Sequence, residues 1–412
     1  MLIPCFLCAG ADAARNLGRV PGRSSLAAEP AQCHLRGVRT SVYVHFPWCL
    51  KKCPYCDFAS AGIRRSEVPH EAYADAVLGE LTRKRLEGRT LHSVFFGGGT
   101  PSLWAPEALG RVLDGVLDAF PERAHDLEIT VECNPTSLDR DKAAALRDVG
   151  VNRLSIGVQS LDADRLRYLG RLHDPEGALR AVRAATEEMG RVSADLMFGM
   201  PGQKPDDFAG EIAQLLDTGI EHVSAYALTI EPDTQFGALH RKGKLPVAPD
   251  DDYADTFLRA REVFAAAGME HYEVSNYARP GQASRHNQHY WRGGDYLGLG
   301  AGAVGAMSEG TSSRCTKNDP RPERYLAGEG AVFEETLTPE DRVREALMLG
   351  LRTAEGMALD AIRERTGVDP SSGRERALSR RRERGDVALE GGFLRVPPDR
   401  WLHLDAIVAD LF

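Results

Sequence analysis

The chain has 412 residues, a formal net charge of −9, and side chains that are 42% hydrophobic, 27% charged and 7% aromatic. That balance supports a large domain plus a smaller one with a substantial core, and it excludes fibrous, disordered and disulfide-scaffold classes. No run approaches the ~18 apolar residues of a membrane helix, and the acidic balance disfavours a nucleic-acid partner.

The first 40 residues set Arg15, Arg19, Arg23, Arg36 and Arg39 among Ala, Ser and Leu, with Asp12 and Glu29 as the only acids. They read as a poorly ordered extension or an early-called start, which leaves the protein cytoplasmic. The alternative is a transit peptide and a mitochondrial location. Cys5-x-x-Cys8 lacks a second pair and carries no site.

From residue 41, short β-type runs alternate with helical patterns. Expected strands are Ser41–Val44, Ser93–Phe96, Glu128–Val131, Arg153–Ile156, Ser193–Phe198 and His222–Leu228. The intervening helices are expected over Glu71–Arg85, Pro106–Ala119, Asp139–Val149, Asp162–Tyr168, Pro175–Met189 and Pro205–Thr218, with a long one near Asp251–Ala267. Six βα units in succession imply a parallel sheet with right-handed crossovers. The polar and glycine motifs fall toward the carboxyl ends of the strands, the rim on which a barrel places its chemistry. The fold class is therefore α/β, a partial (βα)6 barrel over 41–235 with an extension over 236–335. From 336 to 412, helices at Pro339–Leu351, Leu359–Thr366 and Arg374–Arg384 precede two short strands around Gly391-Gly392. That order is winged-helix-like. Glu375, Glu383 and Asp386 interrupt the basic run, which reads as a solvated helix face rather than a DNA contact.

Chemistry concentrates directly after the first strand, in Cys49-x3-Cys53-x2-Cys56. Three thiolates on one short loop can reach three irons of a cluster. With no fourth cysteine close by, one metal position stays open, the mark of a reactive site. A zinc site completed by His45 would instead use two separated pairs of ligands. Gly97-Gly98-Gly99-Thr100-Pro101, closing the second strand, lets main-chain groups approach a ligand without side-chain obstruction. Glu132, Gln159 and Asp195 stand at further strand ends with Arg171 nearby; a carboxylate can hold a ribose or an ammonium, and an arginine a carboxylate.

Together, the cysteine trio and Gly-Gly-Gly-Thr-Pro resemble the radical-SAM superfamily. Tyr43-Val44-His45-Phe46-Pro47, Gly157-Val158-Gln159-Ser160 and Asp195-Leu196-Met197-Phe198-Gly199-Met200-Pro201 narrow the likeness. Residues 41–412 resemble the family that holds oxygen-independent coproporphyrinogen III oxidase and the haem chaperone HemW. Phe58 stands where the oxidase branch has a further cysteine, and His286-Asn287-Gln288-His289-Tyr290-Trp291 is similar to the signature of the chaperone branch. The resemblance implies a 4Fe–4S cluster on Cys49, Cys53 and Cys56. It implies S-adenosylmethionine on Tyr43, Tyr55, Gly98, Gly99, Thr100, Glu132, Gln159, Arg171 and Asp195. It also implies a haem cargo, with His286 as axial ligand (His289 the second candidate), passed to an acceptor protein. The alternative function is anaerobic oxidative decarboxylation of coproporphyrinogen III, so enzymatic activity stays open. One departure sits at Gly300 to Gly305, which lacks the polar residue expected near its end.

Overall fold

The computed structural model describes residues 37–329 and 331–412. The reading of the arginine-rich start and of Cys5-x-x-Cys8 lies outside the described residues. Six strands follow one another in parallel: β1 (Val38–Phe46), β2 (Arg89–Gly98), β3 (Glu122–Cys133), β4 (Arg153–Gln159), β5 (Val192–Phe198) and β6 (His222–Ala227). Helices α1 (His70–Leu81), α2 (Pro106–Ala119), α3 (Arg140–Asp148), α4 (Ala163–Tyr168), α5 (Pro175–Glu188) and α6 (Pro205–Leu216) make the connections. Helices α7 (Gln235–Arg241) and α8 (Asp250–Ala266) follow β6. Starts are chemically marked: the Asp139 and Asp174 side chains accept from the Lys142 and Gly177 amides, capping α3 and α5.

The strands alternate in period two, and the alternation separates two environments. Val42, Val44, Val94, Phe96, Val131, Leu154, Ile156, Ala194 and Leu196 belong to the main apolar core. The intervening positions turn inward: Ser41 meets Ser93 (2.8 Å), Tyr43 packs on Phe95, and Ser155 faces Asp195. A polar inner face thus ends at the carboxyl rim.

The sheet continues past the six expected strands. β7 (Glu270–Glu273) pairs antiparallel with β8 (Asn276–Ala278), which adds antiparallel to β6, and the short helix α9 (Arg285–Trp291) follows them. β9 (Asp295–Leu299) returns to pair parallel with β1, and β10 (Val304–Glu309), β11 (Ser312–Asn318) and β12 (Ala331–Leu337) extend that edge antiparallel, with α10 (Pro322–Leu326) between the last two. Among the described residues the order is β12-β11-β10-β9-β1-β2-β3-β4-β5-β6-β8-β7, an open sheet and a partial barrel. Sequence periodicity does not reveal β9, because glycines dilute its pattern and its partner lies far away in the chain. A buried Arg89–Asp295 pair (2.6 Å) locks it against β2.

In the C-terminal part, α11 (Pro339–Gly350) opens on a capping box in which Thr338 and Asp341 exchange hydrogen bonds. Helices α12 (Leu359–Thr366) and α13 (Glu375–Glu383) and strands β13 (Met357–Ala358), β14 (Ala388–Glu390) and β15 (Phe393–Arg395) give the winged-helix-like order, closed by α14 (Leu404–Asp410).

Glu80 of α1 supplies the polar anchor absent from the Gly300 stretch itself. Its carboxylate accepts from the Gly300 amide (3.0 Å), the Asn318 amide group (3.0 Å) and the Tyr325 hydroxyl (2.7 Å), and pairs with Lys84. Replacing it strands three buried donors. Glu80→Ala is expected to cost about 3 kcal/mol or more of stability, read as a lower urea midpoint at unchanged slope.

Candidate functional site

The cysteine loop is pinned at both ends. Ala61 N–H donates to Pro47 O and Ile63 N–H to Cys49 O, each at 2.9 Å, so Trp48–Cys49 and Ala61–Gly62 form a short parallel pair. Cys49, Cys53 and Cys56 are free thiols on this loop. The Thr100 hydroxyl donates to Cys49 Sγ (3.4 Å), and an Arg171 N–H approaches Cys53 Sγ at 3.7 Å. Burial pushes the Cys56 thiol up to about 11 and raises Cys49 as well, so the thiolate forms call for an adjacent cationic metal.

Opposite the loop stand the ends of β2 to β5. Gly98, at φ +107°, donates its N–H to Glu132 Oε2 (3.0 Å). A Cβ on Gly99 would lie 2.5 Å from the Trp48 carbonyl oxygen, so only glycine lets β2 close on the cysteine loop. Gln159 has φ +67°, the only non-glycine with positive φ among the described residues, at an irregularity where β4 leaves register with β5. Such strain persists where surrounding structure over-determines the backbone, often at functional sites. Arg171 donates to Gly157 O (2.6 Å), while its Nε is buried without a partner.

Burial, then the nearby Asp195 charge, pushes the Glu132 carboxyl up to about 7, and burial raises Asp195 in turn. Two acids with little water need a cationic or hydrogen-donating ligand to ionise together.

These groups line one cavity of about 450 Å³, within the usual range of ligand pockets. It takes in the three cysteines, Tyr55, Gly98, Gly99, Thr100, Glu132, Gln159, Arg171 and Asp195. The set fits a thiolate-bound cluster beside a zwitterionic, ribose-bearing ligand: three free thiols, a backbone cradle closed to side chains, two desolvated acids and a guanidinium.

Three residues expected in the site lie off the cavity lining. Tyr43 is buried, donating from its hydroxyl to His45 Nδ1 (2.9 Å). His286 is 1% exposed, with Nδ1 bonded to the Ser93 hydroxyl (2.9 Å) and its ring against Phe95. His289 donates from Nε2 to Asp295 O (3.0 Å) and lies over His92. For the two histidines the cause is α9, whose amino end is held by Glu128: the Arg285 and His286 amides donate to its carboxylate at 3.1 and 2.9 Å. Sequence reading also missed Tyr226, Arg352 and Trp401, which line the cavity's far wall. No local motif marks them: Tyr226 is one residue of β6, and tertiary packing alone brings Arg352 and Trp401 of the C-terminal segment there.

The chain matches the radical-SAM superfamily over residues 43–216 and the HemN C-terminal domain over 337–402. It is 40% identical to the haem chaperone HemW of Escherichia coli over 321 residues, covering 76% of this chain and 83% of that protein. It is 34% identical to HemW of Mycobacterium tuberculosis over 90% of this chain and 92% of that one. The mouse mitochondrial radical S-adenosyl methionine domain-containing protein 1 is 40% identical, covering 84% of this chain and 80% of that protein. Coproporphyrinogen III oxidase (HemN) of Escherichia coli shares the fold, at a TM-score of 0.76 and 22% identity, covering 92% and 90% of the two chains.

The raised Glu132 value sets a sign. Folding takes up a proton between the ordinary 4.5 and about 7, so this group's contribution to stability falls as pH rises through that window. Urea unfolding of the cluster-free protein should show a decline of at most about 1.4 kcal/mol per pH unit from this group. Glu132→Gln should flatten that decline; equal pH slopes in the two proteins would dismiss the assignment.

Proposed function

The chain belongs to the HemW family of radical-SAM proteins, and on that premise we propose that it binds haem as cargo and transfers it to an acceptor protein. In this reading Cys49, Cys53 and Cys56 hold a 4Fe–4S cluster with one open iron, and S-adenosylmethionine lies between the loop and the β2–β5 rim. When bound, the cluster supplies an electron for reductive cleavage of the sulfonium. The protein's own part is binding and orientation. Gly98 and Gly99 present main-chain groups to the amino-acid end, Glu132 and Asp195 accept from ammonium or ribose hydroxyls, and Arg171 takes a carboxylate.

The observation that carries the haem reading is the family relationship over most of the chain, joined to the His286–Trp291 segment. Imidazole is a common axial ligand, yet in this arrangement the His286 ring is sealed beneath α9. Presenting it to a haem iron requires α9 to leave Ser93 and Glu128. No helix among the described residues is long and apolar enough to cross a membrane.

Titration of the purified protein with ferric haem should give uptake of one equivalent, read from the Soret band. His286→Ala should weaken it at least about tenfold, the scale of one lost ligand contact worth about 1.4 kcal/mol. Unchanged affinity in a folded His286→Ala protein would remove that imidazole as ligand; absence of uptake by the parent protein would remove the chaperone reading itself.

A further inference from the structure

His45 lies outside every role assigned so far, but three parts of the site meet on its ring. A carbonyl oxygen only accepts, so the 2.9 Å contact between His45 Nε2 and Ala59 O places the proton on Nε2. Nδ1 is then an acceptor, and the Tyr43 hydroxyl donates to it. The ring lies flush on Gly98: a Cβ there would fall 2.5 to 2.7 Å from three ring atoms. Its own carbonyl accepts from the Tyr73 hydroxyl (2.6 Å), which anchors the imidazole at its root. The side chain is buried, so water does not compete for either nitrogen.

We propose that His45 is the positioning residue of the cluster site, tying the far end of the cysteine loop to the glycine strand and held in orientation by Tyr43. Ala59 follows Cys56 by three positions, and the Ala61–Trp48 pairing fixes the loop only beyond that point. The Nε2 bond thus ties the loop to the barrel three residues after the third cysteine, whereas Lys52 Nζ to Phe58 O is a bond within the loop itself. Gly98, against which the ring rests, also donates to Glu132. One imidazole therefore joins the carboxyl side of the loop to the surface facing it, while Thr100 and Arg171 meet Cys49 and Cys53. Tyr43, expected from the resemblance to touch S-adenosylmethionine, acts here through His45. A space-filling histidine would need only its volume; this one has both nitrogens matched by tautomer to a donor and an acceptor on different elements.

The inference rests on the cluster reading above, and the experiment separates the two. Full-length protein is reconstituted anaerobically with iron and sulfide and challenged with an iron chelator, and its reduced EPR spectrum is recorded with and without S-adenosylmethionine. His45→Leu should lose iron at least about fivefold faster than the parent, the scale of one buried hydrogen bond. It should also lose most of the spectral change that S-adenosylmethionine produces. His45→Gln, whose amide N–H can reach Ala59 O, should recover most of the parent's retention, and Tyr43→Phe should fall between. A His45→Leu protein with parental iron loss and an unaltered spectral response overturns the proposal. If His45→Leu fails to fold, Tyr43→Phe carries the test, and parental iron retention with a parental spectral response in that variant overturns it equally. A parent protein that assembles no cluster would instead remove the underlying reading.

Discussion

Parallel pairing is the constraint on which the rest of the molecule depends. Once β1 to β6 run side by side in one direction, their carboxyl ends share a rim and every inward residue near those ends faces the same space. Phe46 stands level with Gly98, Phe96 with Val131, Cys133 with Ile156, and Phe198 with Ala227. Helical crossovers supply the length that a parallel return requires, and they cover the apolar side of every strand. The cysteine loop leaves β1 at this rim, so it faces groups drawn from β2 to β5.

The period-two alternation makes this arrangement chemically useful. Valine, leucine and isoleucine on the helix-facing side give the core its cohesion. The inner face is then free to carry serine, histidine, glutamate and aspartate, each paired with a neighbour lower in the barrel. Near the rim the pairing thins. Glu132 and Asp195 face each other with few donors, Arg171 keeps one nitrogen unpartnered, and Gln159 holds a left-handed backbone. Buried polar groups left in that condition are costly unless a ligand completes them. Lower in the barrel the charged groups are paired: Glu128 holds Arg191 and the start of α9, and His286 is bonded to Ser93, while only the neutral Thr130 hydroxyl and His92 Nδ1 stay without partners there among the described residues. The difference explains why the rim reads as a binding site and the floor as framework in this state, and why a haem ligand drawn from the floor needs α9 to move.

Local order was largely legible along the chain. Six strands and their helices follow from alternating and 3.6-residue patterns, and Asp139, Asp174 and Thr338 mark helix starts by capping chemistry visible in the sequence. Boundaries shifted where tertiary contacts extended or cut an element: β3 begins at Glu122 rather than Glu128, and α1 stops at Leu81 rather than Arg85. The antiparallel extensions and β9 were not legible, because their partners are remote in sequence and glycines break their periodicity. Eleven of the residues expected in the site line the cavity, since all but Arg171, which follows α4, lie in short motifs at strand ends. Tyr43 and His286 escape it for one reason: a side chain's neighbours are set by the element packed across from it, which no local pattern records.

What the sequence by itself determined is the chemistry on offer and its order: three thiols with an open fourth position, a glycine strand, acids at successive strand ends and an arginine after the fourth strand. Those depend on spacing and residue type within a few positions. The tertiary structure alone decided which of these groups meet, because contacts such as His45 with Ala59 and Gly98, Glu80 with Gly300, and Glu128 with α9 join segments that only the closed sheet brings together. The cysteine trio was readable as a metal site from its spacing; that its loop is held to the barrel by a buried imidazole was not.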